Sequence, residues 1–454
     1  MSRGSGATVP AAVSRFSALV LVLVELGLVA IAIRFGLSLQ WVTGLDQVFV
    51  FGLVPVSVAV YLEKARRGPA ERRASLALVA VSTCVALLMC EVLLQSLAAY
   101  GGPPEGPTMG DVIDSARVHG EALYPSIPGS ILVASGLTLD VPGGPVRPVT
   151  PAPGEVDVLL CVEGGSLVRY KGDRFGFNNP DAVWDDPPSA VVIGDSYVHG
   201  VCVDHKDQLP NLLPSARGGV NLGARGAGPL QELAILREYG PIVGPQDVFW
   251  IYYEGNDLFD LDRELSDAEL PRYLEPEYSQ ELALQGETIS LALAKWLDSM
   301  VVERNSVAGQ PMAEPPIIDV LVRSIRLELV RDLSGFGVLF PSELDHLQEF
   351  SAILALAERE VSRLGGNLTF VYLPARRRYA SWIGDGVAGR EEVLAVVRDL
   401  GVETVDLHQT LKLLPRATDL WTGPGGHLNA RGYQVVAQAI QLAGLGGSAP
   451  GREP

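Results

Sequence analysis

The chain has little cysteine, few basic residues for its size and no internal repeat, and each shortage removes a class of function. Four cysteines stand among 454 residues. None lies in a Cys-x-x-Cys pair or at a zinc-type spacing from histidine, so no metal and no cofactor are expected. Lys and Arg number 35 against 53 Asp and Glu, a net charge of −18. Nucleic-acid binding needs clustered Lys and Arg to neutralise phosphate, so no nucleic-acid partner is expected. The absence of repeats and low-complexity runs excludes solenoid architectures.

What acid there is falls unevenly. Residues 1–100 carry eight basic and five acidic side chains, a net of +3, which leaves −21 for the rest. The same hundred residues hold three apolar blocks, Phe16–Ile33, Gln47–Leu62 and Ala74–Tyr100, each interrupted by at most one charge or by Pro55. A spanning helix needs about 20 mainly apolar residues. The first and third blocks meet that length, and the second meets it if extended back through Trp41–Leu45. Three transmembrane helices are expected in residues 1–100.

Arg3 and Arg15 precede the first block, and Lys64, Arg66, Arg67, Arg72 and Arg73 lie between the second and third. Basic flanks stay cytoplasmic. The expectation is a multi-pass protein of the cytoplasmic (inner) membrane, with everything after about Gly101 outside. A cleaved leader ending near Ala30-Ile31-Ala32 is the alternative. Glu25 and Glu91 sit inside apolar blocks with no basic partner in a span. Each is read as protonated or bonded to a neighbouring helix, or else as functional.

Cys84 and Cys90 read as small membrane-buried hydrophobes. Cys161 and Cys202 fall in the exported part, where oxidation is permitted, either bridged or with Cys202 unpaired. Residues 101–155 read as linker and irregular preamble, with Pro/Gly-rich stretches at Gly101–Gly110 and Val141–Gly154. The main domain spans 156–445, and 446–454 reads as a disordered tail.

Within that domain, apolar runs at Ala190–Ile193, Gly219–Leu222, Asp247–Tyr253, Asn367–Leu373 and Glu403–Leu407 read as strands. Helical stretches at Pro229–Glu238, Pro341–Leu364 and Arg390–Leu400 separate them. Such alternation argues an α/β fold with a five-stranded, mostly parallel sheet covered on both faces. Leu258–Leu339 breaks the rhythm and reads as a helical insertion, either a cap over the sheet edge or a peripheral elaboration.

The run Ala190–Ile193 stops at Gly194-Asp195-Ser196. A buried strand thus delivers a serine to the carboxyl edge of a sheet, where open α/β folds bind ligands. Val198 replaces the second glycine of Gly-x-Ser-x-Gly, which disfavours the α/β-hydrolase elbow. Serine is a weak nucleophile and needs a base and donors for an oxyanion. Downstream come Asn221-Leu222-Gly223, Glu254-Gly255-Asn256-Asp257 and Gly426-His427-Leu428-Asn429.

These four blocks, in this order, resemble those of the SGNH (GDSL) hydrolase family, over roughly Asp173 to Ile440. The resemblance implies a three-layer, flavodoxin-like sandwich of the membrane-anchored, extracytoplasmic bacterial kind. It implies Ser196 as nucleophile and His427 as base. It also implies an oxyanion hole from the N–H groups of Ser196 and Gly223 and the amide of Asn256.

The chain departs from the family at two points. Pro424 stands where the family has the aspartate before its histidine, so Asp419 is the candidate acid, with a backbone carbonyl as the alternative. Glu254 stands where the family has glycine before its asparagine. His199 is a weaker competitor for the base. Asp195 and Asp257 read as structural, and Arg376-Arg377-Arg378 as a solvated run or an anion contact.

The expected activity is ester hydrolysis through a serine acyl-enzyme, on O-acyl esters of envelope glycans or lipids. An O-acyltransferase served by a membrane acyl-donor protein is one alternative. A non-catalytic envelope scaffold is the other.

Overall fold

A computed structural model describes residues 10–37, 53–99, 107–162, 167–213, 218–307, 346–380, 389–423 and 426–443. They fall into two compact units, residues 10–99 and residues 107–443.

In the first unit, Ala11–Leu37 and Ala70–Ala99 are helices, and each holds a stretch long and apolar enough to cross a membrane. The expected second span is described only from Leu53. Its helix, Val54–Arg66, has 13 residues, about 20 Å of rise, and is too short to cross by itself. The remainder of that span, from Gln47, lies outside the described residues. Pro55 does not interrupt this helix but opens it, at a first-turn position where no N–H is needed. Glu25 has a basic partner after all: Arg66 Nε lies 3.7 Å from its carboxylate while also bonding Glu63 at 2.8 Å.

The second unit is built on a five-stranded sheet. The strands of this unit, in chain order, are β1 (Leu123–Pro125), β2 (Leu139–Val141), β3 (Gly144–Val146), β4 (Asp157–Cys161), β5 (Val168–Lys171), β6 (Ala190–Gly194), β7 (Gly219–Gly223), β8 (Asp247–Tyr253), β9 (Asn367–Leu373) and β10 (Glu403–Asp406). The main sheet runs β10-β9-β8-β6-β7, and every pairing in it is parallel. β6 lies between β7 and β8, so the chain reverses its direction of travel across the sheet there. Ligands bind outside the carboxyl ends of strands at such a point.

Alternate residues of β6 enter different apolar clusters. Val191 and Ile193 pack with the helices Pro229–Val243, Leu347–Arg363 and Arg390–Asp399. Val192 packs with Tyr433, Val436 and Ile440 of the helix Ala430–Leu442. All five residues of β6 are buried, and each large apolar side chain so buried contributes about 1.5–3 kcal/mol. Burial on both faces is why β6 is a continuous apolar run rather than an alternating one.

Residues 107–155 do not stand apart as a linker. Tyr124, Ile127, Leu132, Val146 and Val149 belong to the same core as the main sheet. Arg147–Gly154 is buried almost throughout. Gln231 Nε2 donates to Val149 O at 2.9 Å, and buried Arg147 pairs with Asp267 at 2.5 Å. Prolines suit such a segment because they bring no N–H that burial would leave unpaired. The described part of the insertion likewise joins the core through Leu258, Leu261, Leu270, Tyr273, Leu282, Ile289 and Leu293; 308–339 lies outside the described residues.

Cys161 and Cys202 are bridged, which resolves the alternative left open by the sequence. The bridge ties β4 to the loop that follows the serine turn, across 41 residues of chain. Loop-closure entropy assigns such a cross-link about 4 kcal/mol. Reduction by dithiothreitol is expected to lower the urea midpoint of the full chain by a matching amount, and a Cys161→Ser/Cys202→Ser variant should show the same loss without reductant.

Candidate active site

β6 ends at Gly194, and a four-residue helix, Ser196–His199, begins two residues later. Asp195 caps it by accepting from Tyr197 N at 2.9 Å. The helix lies so close to the sheet that a Cβ on Gly194 would meet Val198 Cγ2 at 2.6 Å, and one on Gly223 would meet His199 N at 2.2 Å. Two buried asparagines take up carbonyls at its C-terminal end: Asn221 Nδ2 donates to Val198 O at 2.9 Å, and Asn178 Nδ2 to His199 O at 3.0 Å. Ser196 is thereby fixed at the rim, 7% exposed.

His427 arrives from the other end of the domain. Trp421 and Leu428 form an isolated antiparallel bridge, Thr422 N donates to His427 O at 2.9 Å, and Asn429 N donates to Leu420 O at 2.9 Å. Asn429 also caps the helix Ala430–Leu442, accepting from Gly432 N at 3.1 Å. The loop is thus pinned on both sides of the histidine. His427 Nε2 lies 3.0 Å from Ser196 Oγ, across 231 residues of sequence. That is hydrogen-bond reach for a nucleophile and its base. The ring of Tyr197 lies beside the imidazole, centroids 5.4 Å apart.

Asn256 joins them from the end of β8. Its Nδ2 donates to Asp195 Oδ2 at 3.4 Å and to Asp260 Oδ2 at 2.6 Å. Ser196 Oγ lies 3.2 Å from the same Asp195 oxygen. Asp195 therefore touches both the serine and the amide. Burial pushes its carboxyl up, opposed by the bond from Tyr197 and by the nearby His427.

Two expectations need correction. The Gly223 N–H does not face the site: it donates at 2.8 Å to Asn221 Oδ1, two residues earlier, a local side-chain-to-backbone bond typical of asparagine. Glycine is required at 223 for the close approach to His199. Among the described residues the Ser196 N–H has no acceptor and stays available for an anion, as the first donor of a helix.

The structure also does not bring Asp419 to the imidazole. Its side chain is exposed on the turn Ala417–Leu420, where its backbone carbonyl accepts from Asn429 Nδ2 at 2.8 Å, and no hydrogen bond or ion pair joins it to His427. Asp195, by contrast, lies near enough for His427 to act on its carboxyl through space.

His199 does not compete for the serine. Its Nδ1 accepts from Arg225 N at 3.3 Å and its Nε2 faces Tyr170 Oη at 3.0 Å. Burial first, then Arg225 and His427, pull its pKa down to about 3, so it is a neutral core histidine. Glu254 is buried, accepts from Ala375 N at 2.8 Å, and pairs with Arg378. Arg378 is therefore neither solvated nor free for an anionic substrate. The departure at 254 exchanges a glycine for a buried ion pair, whose partner comes from the arginine run after β9.

Behind Asp195 lies a group of acids of which only Asp257 stood out in the sequence, and that as a structural residue. Glu232, Asp257, Asp260 and Glu264 are all buried and act on one another through space. Burial raises each of them, Asp260 to about 6 and Glu264 to about 8. Glu264 also seats the helix Pro229–Val243, accepting from Gly228 N at 2.6 Å and Leu230 N at 3.0 Å. The signal was in the spacing: 257, 260 and 264 fall on one helical face together with Leu261, which is an inward face. Among the described residues no group of His, Cys, Asp or Glu is arranged to hold a metal ion.

No family model matches this chain, and no curated protein matches it.

Proposed function

We propose that the chain is a membrane-anchored serine esterase of the SGNH type. The observation that carries the reading is the 3.0 Å approach of His427 Nε2 to Ser196 Oγ at the carboxyl edge of a parallel sheet. The strand order supports it. Numbered along the chain within the main sheet, the order is 2-1-3-4-5, that of flavodoxin-like sandwiches, with the serine at the switch point.

His427 takes the Ser196 proton as Oγ attacks the ester carbonyl carbon. The tetrahedral oxyanion is met by the Ser196 N–H and by Asn256. Collapse breaks the carbon–alkoxy bond, and the leaving alcohol takes the proton back from His427. Water, deprotonated by the same imidazole, then releases the acid and restores the serine. Asp195 offsets the positive charge on the imidazole during both steps.

Two further observations bear on place and substrate. Apolar helices long enough to cross a membrane precede the domain. The Cys161–Cys202 bridge suits an oxidising compartment. Together they favour O-acyl esters at the outer face of the membrane, on envelope glycans or lipids.

The test is covalent. The detergent-solubilised full chain is treated with a fluorophosphonate probe and the labelled peptide is read by mass spectrometry. Labelling on Ser196, lost in Ser196→Ala, supports the reading. An unlabelled wild type that also leaves nitrophenyl acetate intact refutes it.

A further inference from the structure

Asn256 stands at the N-cap of the helix Asp257–Leu265, yet its side chain makes no capping bond. An asparagine there ordinarily accepts from an N–H of the first turn. Here the amide turns away and donates instead, to Asp260 at 2.6 Å and to Asp195 at 3.4 Å. Those two bonds use both of its N–H groups. The first is short. The second is long and ends on the oxygen that also lies 3.2 Å from Ser196 Oγ. Asp260, 5% exposed, is itself held by Arg263 Nη1 at 2.7 Å on its other oxygen.

We propose that Asp260 is a positioning residue: it anchors one N–H of Asn256 so that the other is delivered beside Ser196 Oγ, where an oxyanion would form. The inference rests on the hydrolase reading and adds a residue that the family blocks do not contain. An amide without the anchor would rotate back to cap its own helix, and its second N–H would leave the site.

The anchor is also charge-dependent. Ionised Asp260 only accepts, which suits an amide donor. Protonated Asp260 carries an O–H that competes for the same space. Burial raises Asp260 to about 6 against the pull of Asn256 and Arg263. Asp195, Glu232, Asp257 and Glu264 face it as further acids, and Arg263 as the cation. His346, just before the next helix, bonds Asp262 instead. Turnover should therefore fall on the acid side of about pH 6 through Asp260.

The experiment compares the full-length wild type with Asp260→Asn, Asn256→Ala, the double variant and Arg263→Met, on nitrophenyl acetate from pH 5 to 9. Losing one oxyanion donor lowers kcat by about 100- to 1,000-fold where measured, and Asn256→Ala should do the same. Asp260→Asn should lower kcat by roughly 10- to 100-fold with KM within about twofold, since it displaces the donor rather than deleting it. The double variant should be no slower than Asn256→Ala, because residues acting through one another are not additive. Arg263→Met keeps the buried anchor and removes its cation. It should move the acid limb of kcat upward by about half a pH unit, a shift reduced by the exposure of Arg263.

The inference is overturned if Asp260→Asn turns over within twofold of wild type, if the two losses multiply, or if the limb stays in place in Arg263→Met. Should Asp260→Asn fail to fold, the Arg263→Met limb decides alone. A wild type that neither labels on Ser196 nor hydrolyses ester overturns both readings; an active wild type with an indifferent Asp260 overturns this one only.

Discussion

Ser196→Ala and His427→Ala are each expected to abolish the proposed ester hydrolysis, by about four to six orders of magnitude in kcat/KM, while Asp419→Asn should stay within about threefold of wild type. The two large losses should be nearly equal, and the double variant should be no slower than either, because nucleophile and base act as one unit. The contrast with Asp419 follows from its position: the side chain is exposed and bonded to neither member of the pair. Asp195→Asn should fall between these extremes. It removes the charge that faces the imidazole but can keep the cap on Tyr197 N. Rates on nitrophenyl acetate at pH 8 check all four. Full activity in His427→Ala would show that the 3.0 Å contact is structural.

Much of this arrangement was readable from the chain, for identifiable reasons. The central strands β6, β8 and β9 are short, mainly apolar runs, and a strand buried on both faces can hardly be written any other way. That is why the expected run Asp247–Tyr253 coincides with β8 and Asn367–Leu373 with β9. Ser196 was legible because it follows Gly194-Asp195 at the end of a buried apolar run, and His427 because it follows Gly426 in a loop just before a helix. Gly223 was placed correctly at the edge and given the wrong task. The resemblance that implied an N–H at the site could not show that Asn221, two residues before it, would claim that N–H.

Asp419 failed for the opposite reason. Eight residues of Gly/Pro-rich loop are long enough to reach back, but the Trp421–Leu428 bridge closes the loop between them, and the carboxylate is left outside. The proline-rich stretch Val141–Gly154 misled because composition signals a missing donor, not an exposed chain. The proposed roles of Asp195 and Asp260 were hidden by their ordinary ones. An aspartate after glycine at a strand end caps a helix, and Asp195 does so too. Only the fold shows that its second oxygen meets the serine.

Glu232→Gln is expected to leave the melting temperature unchanged near pH 5 and to raise it by about 3–5 °C near pH 8.5, at the order of 1–2 kcal/mol for a domain of this size. The Glu232 side chain is fully buried, its oxygens meet no hydrogen bond of ordinary geometry among the described residues, and the nearby indole N–H of Trp250 only partly opposes the effect of burial. Desolvation, then Asp195 and Glu264, push its pKa well above the ordinary value. Glutamine has the shape of the protonated acid and never ionises. The sign follows from linkage. A carboxyl raised by folding stabilises fully below its unfolded pKa, and that contribution is lost as pH rises through the folded value.

Glu264 follows the same course, raised from 4.5 to about 8, at about 1.4 kcal/mol for each pH unit between the two. Asp260 and Asp173, both at about 6, and Glu392 at about 7 add to it. Asp181 and Asp406 are shifted downward and lose their contribution only on the acid side of 3.8, so they do not offset the trend. The wild-type domain should accordingly weaken as pH rises from about 6.5 towards 8.5, because His199 and His205, both pulled down by burial, oppose the trend only below that range; this is the reverse of a protein held by ionised surface carboxylates. Scanning calorimetry of wild type and Glu232→Gln across that range reads both slopes, and parallel curves would mean that Glu232 is already ionised in the fold. Asp260 must be ionised to anchor Asn256 as proposed, while Glu232 and Glu264 hold the domain best when protonated. A usable window is therefore bounded below by Asp260 and above by Glu232 and Glu264. Neutralising Glu232 should widen it only on the alkaline side.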